Sequence, residues 1–370
     1  GRRIRRWTTS GANWAGPCRH SKGVSGLAKK QSSHRVLKAT FALVLLASVA
    51  IGGWLWQRYL GFADTPIALA GTERILVVER GDGFQDILGK VRALGIDEGH
   101  DLEWQALAHE MQVIARLQVG DYSIRHGITP RELLTKLESG KVIQHRFTIV
   151  EGWSLRELRA ALAKDELIAQ GLADLDDAAV MAALDRPGAH PEGRFLPETY
   201  HYTRGASDLD LLRRAAMAMD KAVANAWSAR ADGIPIETPE QLLVLASIIE
   251  KETGKASERP EIAGVFSRRL KLGMRLQTDP TVIYGMGSAY AGNIRRSDLT
   301  TDTPYNTYTR AGLPPTPIAM PGRDALMAAA NPAEGNTLYF VARGDGSHVF
   351  SATLVEHNRA VNCYQRKRCR

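Results

Sequence analysis

Two carboxylates close the segment LASIIEKETG, residues 245–254, with Lys251 wedged between them. A carboxylic acid that keeps its proton near neutral pH can protonate a weakly basic oxygen, such as the bridge of a glycosidic bond, as that bond breaks. Keeping the proton requires a partly apolar setting that raises the pKa. Glu250 and Glu252 are two positions apart, so on a helix they point roughly 160° away from each other. A charged cluster at a helix end is ordinarily solvated surface, and that reading competes with the chemical one. Other chemistries lack their signatures. No nucleophile elbow, phosphate-binding loop, dinucleotide fingerprint or H-E-x-x-H occurs, and no His/Cys set has zinc spacing, so neither a cofactor nor a metal is expected.

The helix that would carry these glutamates starts cleanly. Thr238 is its expected N-cap, Pro239 its first residue and Gln241 the capping-box partner, with Gly254 as the natural residue past its end. Leu242, Leu243, Leu245, Ala246, Ile248 and Ile249 define one apolar face. Glu250 and Glu252 flank that face at about 90° and about 70° from its centre, so periodicity leaves them nearly level. Beyond Gly254, "MRLQTDPTVIYGMG" and the long loop "TPYNTYTRAGLPPTPIAMPG" are rich in hydroxyls, amides and aromatics. Long loops of this kind usually carry function. "HPEGRFLPETYHYTRG" is read as an irregular island whose aromatics and carboxylates suit a sugar face, or simply pin a loop to the core.

Residues 72–150 read as a compact module of strands and helices. "TERILVVERGDG" and "VGDYSIRHG" are its strands. "FQDILGKVRALG", "DLEWQALAHEMQVIARL" and "TPRELLTKLESG" are its helices, the last with Thr129, Pro130, Glu132 and Gly140 at capping positions. Residues 151–235 are mainly helical, and "NTLYFVARGDGSHVF" is a hairpin.

Charge is concentrated at one end. Residues 1–57 hold ten Lys or Arg and no Asp or Glu, leaving 38 basic against 40 acidic residues for the rest. A nucleic-acid partner is therefore not expected, because the folded part has no basic excess. The arm runs into "ATFALVLLASVAIGGWLW", residues 39–56, which would span about 27 Å as a helix. Trp54 and Trp56 at its far end suit a membrane interface, and the positive-inside rule places the basic arm in the cytoplasm. Of three cysteines, Cys18 lies in the arm while Cys363 and Cys369 lie near the end, where a bridge between them is permitted in an oxidising compartment.

"LASIIEKETGKASERPEIAGVFSRRLKLGMRLQTDPTVIYG", "YNTYTRAGLPPTPIAMPG" and "YFVARGDGSHVFSATLVEHN" together resemble the endolytic murein transglycosylases, the YceG-like or MltG family. The resemblance implies an α+β protein of the bacterial inner membrane: a basic cytoplasmic arm (1–38), one transmembrane helix (39–57), a linker (58–71), a small LysM-like α+β module (72–145), a mixed α+β catalytic domain (146–361) and a basic tail without fixed structure (362–370). It implies a lytic transglycosylase that cuts nascent peptidoglycan strands internally, leaves 1,6-anhydro-N-acetylmuramic acid ends, and has peptidoglycan synthases as further candidate partners. The family's catalytic glutamate falls on Glu252, first acid and then base, which needs no second catalytic carboxylate. Gln277, Thr278, Asp279, Tyr284, Asn306 and Tyr308 are the implied glycan-binding groups, with Glu192, Glu198 and Tyr200 as further candidates for the same cleft. A non-catalytic peptidoglycan-binding scaffold and a hydrolytic muramidase are the alternatives. Both ends depart from the family's usual pattern.

Overall fold

The computed structural model describes residues 29–368, so the arm up to residue 28, with Cys18, and the terminal Cys369 lie outside the described residues. The chain forms two units, Gly1–Thr65 and Pro66–Arg370. The first contains α1 (Lys29–Ala63). Its stretch Val36–Ala63, with mean hydropathy 2.0, is long and apolar enough to cross a membrane. Leu37, Phe41, Leu45, Val49 and Leu55 are exposed on it. A helix apolar all round is satisfied in hydrocarbon, where its backbone bonds are internal and its side chains match the solvent.

The second unit opens with β1 (Glu73–Val78), α2 (Phe84–Ala93), α3 (Asp101–Glu110), β2 (Gly120–Arg125) and α4 (Pro130–Ser139). β1 and β2 pair antiparallel, Glu73 opposite Arg125 and Val78 opposite Gly120. Leu88 and Val91 of α2 and Trp104 and Leu107 of α3 are buried. On α4 the Thr129–Glu132 capping box closes and Gly140 takes the left-handed conformation at φ 62°. The helix expected over 101–117 stops early. Gln112 adopts φ 56° and a 3₁₀ turn, Ile114–Arg116, follows, which turns Val113 into the core.

Next come β3 (His145–Thr148), α5 (Leu155–Ala163), α6 (Asp177–Ala183), β4 (Thr199–Tyr202) and α7 (Asp208–Ser228). The expected irregular island therefore contains a strand. β4 pairs antiparallel with β3, Phe147 opposite Tyr200, and buries Tyr200 and Tyr202 while Thr199 and His201 face out. Four alternating residues between Gly and Pro are too short a signal to stand out.

The remainder comprises α8 (Pro239–Glu252), α9 (Arg259–Lys271), α10 (Asp279–Met286), α11 (Arg296–Thr300), α12 (Arg323–Ala330), the antiparallel pair β5 (Tyr339–Ala342) and β6 (His348–Ser351), and α13 (Leu354–Tyr364). α13 runs past residue 362, where the tail was expected, and Cys363 in it is disulfide-bonded. α8 is the central element. Leu242 to Ile249 are all buried, and Leu242, Leu243, Leu245, Ala246, Ile248 and Ile249 share one cluster with Ile262, Phe266 and Leu326. It is thus apolar on every side and not amphipathic, which is why a helical wheel could not rank its two glutamates. Thr238 caps it as expected, but Gln241 accepts from the Glu237 N–H at 2.6 Å, so the capping box stays open. Its end also differs from expectation. Thr253 is extended at φ −146° and Gly254 is not left-handed, so the chain leaves directly after Glu252.

Candidate active site

Glu250 and Glu252 have opposite surroundings. The Glu250 side chain is only 4% exposed, and it accepts from the Arg259 guanidinium at 3.0 Å and from the Gly322 N–H at 2.9 Å. Arg259 reaches on to Glu151 at 3.2 Å. Burial raises the Glu250 pKa, but both its oxygens are engaged in joining α8, α9 and the start of α12. Such a carboxylate is committed to the frame.

Glu252 has one hydrogen bond, from the Thr278 hydroxyl to Oε1; among the described residues its second oxygen accepts none. Burial pushes its pKa up to about 7, and the negative charge of Asp279 adds to the rise. The Thr278 bond, His348 and Arg269 act in the other direction. A glutamate that is half-protonated near neutrality, with one free oxygen at a helix end, is equipped for proton transfer in both directions.

The hydroxyl-rich turn before α10 sets the Thr278 position. The Thr278 N–H donates to Thr307 Oγ1 at 3.1 Å, Thr281 donates to the Thr278 carbonyl at 2.8 Å, and the Thr281 and Thr307 hydroxyls meet at 2.9 Å. Gln277, one residue earlier, is held in the left-handed region at φ 51°, a strain of the kind that marks tightly determined sites. Asp279 is exposed and accepts from the Tyr308 hydroxyl at 2.5 Å. These four expected residues, Gln277, Thr278, Asp279 and Tyr308, lie together beside Glu252.

The others divide differently. Asn306 is buried and donates to the carbonyls of Asp298, Leu299 and Thr301 while accepting from the Tyr308 N–H, so it locks its own loop instead of facing a ligand. Tyr200 lies in the β3–β4 core with its hydroxyl on the Leu196 carbonyl at 2.8 Å, which removes it from the cleft. Glu198 is exposed and lies 3.4 Å from Arg323. Tyr284 turns to the far end of α10, where its hydroxyl meets Glu192. Glu192 is 3% exposed, accepts from the Leu155 N–H at 3.0 Å, and is driven by burial to a pKa of about 7.

Sequence reasoning missed two neighbours of Glu252, His348 and Arg269. His348 on β6 is hydrogen-bonded through Nδ1 to Glu258 at 2.8 Å, and its N–H donates to the same carboxylate at 3.2 Å. Arg269 is buried on α9, donates to the Leu276 carbonyl at 2.8 Å and lies 5.1 Å from the Tyr339 ring. Each comes from an element remote in sequence from Glu252, and a one-dimensional pattern cannot join them.

Antiparallel strand pairs interspersed among helices, with a buried carboxyl of raised pKa at the end of the enclosed α8, make this an α+β fold with a carboxyl-centred candidate site. The chain belongs to the YceG-like family, whose model matches residues 76–363. An endolytic murein transglycosylase of Bacillus subtilis is 33% identical over 264 residues, 67% of this chain and 73% of that protein. One from Streptococcus pneumoniae is 27% identical over 354 residues, 86% of this chain, and the chain spans 63% of its length. The crystal structure of a yceG-like protein from Listeria monocytogenes aligns with a TM-score of 0.50 at 26% identity, over 78% of this chain and 98% of that one.

Proposed function

We propose that this chain is a peptidoglycan-cleaving enzyme, an endolytic lytic transglycosylase in which Glu252 serves as acid and then as base. The supporting observation is Glu252 itself: a carboxyl raised to about 7, fixed through one oxygen by Thr278 and open at the other. The relatives named as endolytic murein transglycosylases support the substrate class.

The protonated Glu252 donates to the oxygen linking muramic acid C1 to the next sugar, and the C1–O bond breaks with positive charge developing at C1. The resulting carboxylate takes the proton of the C6 hydroxyl, whose oxygen bonds to C1 and closes the 1,6-anhydro ring. Protons and electrons balance without water. Asp279, held by Tyr308, keeps the acid protonated by its charge and favours a cationic sugar beside it. Gln277 and Tyr308 offer an amide and an aromatic ring to the glycan. The β-α-α-β arrangement within 72–145 supports a LysM-like role in holding the strand. α1 is proposed as a single inner-membrane anchor with the arm in the cytoplasm and the body outside, where synthases making the strands are candidate partners.

The test is digestion of uncrosslinked glycan strands by the purified chain, with products read by mass. Internal cleavage giving anhydro ends, lost in Glu252→Gln by about 10² to 10⁴ in rate, is the expected result. Products heavier by one water would establish a muramidase instead. Strand binding with no new ends would establish a scaffold.

A further inference from the structure

A cavity of about 900 Å³ lies next to the Glu252 site without including Glu252 in its lining. That volume is at the upper end of ordinary ligand sites. It shares its walls with the elements that hold the acid. Lys251 precedes Glu252 on α8, and Ile283 and Tyr284 lie on α10, whose N-cap Thr278 binds Glu252. Along α10 the separation from Thr278 to Tyr284 is about 9 Å.

The chemistry of the walls is uneven. The inner surface is apolar and aromatic, with Ile283, Tyr284, Tyr290 and Tyr305. Glu192 at its floor is mostly neutral below pH 7, so the interior carries little charge. The rim is charged. The exposed Arg156 enters no ion pair among the described residues, and Lys251 donates only to the Gly152 carbonyl at 3.1 Å. Glu157 lies within electrostatic reach of both and caps Ser154, while Asp177 holds Arg159 at 2.9 Å. A neutral sugar needs no such rim. A short peptide bearing carboxylates and an ammonium group does.

We infer that this cavity receives the peptide stem carried by the muramic acid at the scissile bond, its carboxylates on Arg156 and Lys251 and its side chains against the tyrosine wall. The inference rests on the proposed peptidoglycan substrate. A muramic acid placed with C1 at Glu252 carries its peptide on the same ring, so the peptide must leave the cleft within a few ångströms of the acid. The cavity is the space beside that exit. The enzyme would then favour peptide-bearing strands over denuded ones.

The test uses the full chain in detergent, in a Glu252→Gln background that separates binding from turnover. A muramyl tetrapeptide is titrated by calorimetry, with a peptide-free disaccharide as control. Saturable binding of the first, weakened about tenfold in Arg156→Ala/Lys251→Ala as expected for losing charge-assisted hydrogen bonds, supports the assignment. No binding, equal binding of the disaccharide, or unchanged affinity in the double variant overturns it. In the enzyme with Glu252 restored, the ratio of cleavage rates on peptide-bearing and denuded strands falls in the double variant. A parallel fall on both strands argues against a peptide site. Failure of the transglycosylase reading shows separately, as absence of any cleavage of either strand by the unaltered chain.

Discussion

In the proposed mechanism Glu252 gives up a proton and takes one back, and burial together with its neighbours sets the pH at which it can do both. Its acid form is required for the first step, and that form disappears as pH rises through about 7. The kcat/KM profile is therefore expected to fall on the alkaline side with an apparent pKa near 7. Burial and Asp279 hold the value up, while Thr278, His348 and Arg269 hold it down. His348→Gln and Thr278→Val should each move the alkaline limb to higher pH, and Asp279→Asn should move it lower. A limb that stays fixed in all three, measured on strands of one length, would remove these residues from the proton balance. Periodicity left Glu252 level with Glu250, and only the resemblance of continuous segments to a family singled out Glu252, Thr278 and Asp279 as candidates. The sequence could not reveal His348, whose orientation depends on Glu258, 90 residues away. Nor could it tell that Asn306 and Tyr200 turn their polar groups inward.

At the scale of elements, the two glutamates are separated by what α8 packs against. Periodicity failed there because the helix is enclosed, so no single face existed to read. Start signals such as Thr129, Pro130 and Thr238 were legible because capping is local chemistry. β4 was not, because a four-residue strand is stabilised by its partner β3 and not by its own pattern. The Glu250–Arg259 pair is what fastens α8 to α9, with side chains 4% and 8% exposed. Truncation leaves a buried guanidinium with only the more exposed Glu151 and Asp324 as partners. Glu250→Ala is expected to lower stability by about 3 kcal/mol, read from denaturant midpoints, whereas Glu252→Gln should leave the midpoint unchanged or raise it slightly at pH 8. An equal loss in both would mean that Glu252 is structural too.

For the whole molecule, the sequence divided the long apolar helix from the body by composition alone, and the structure divides the chain at Thr65. The second unit contains buried apolar clusters of its own. A chain beginning at Pro66 is expected to remain soluble and unfold in one cooperative transition while no longer sedimenting with membranes. Aggregation, or loss of the transition by calorimetry, would show that α1 contributes to the fold. What composition could not convey was how the body is assembled. Among the described residues, three two-stranded sheets interleaved with helices leave no continuous strand pattern from which a topology could be inferred.

α10 is short, yet it touches two different businesses: its N-cap Thr278 steadies Glu252, and Pro280, Ile283 and Tyr284 border the cavity. Changes at Ile283 or Tyr284 can alter what the neighbouring space accepts while Thr278 keeps its bond to Glu252. In the proposed reading, substrate preference and bond-breaking chemistry thus rest on different residues of one helix. Lineages, or a laboratory selection, can vary the first without reinventing the second.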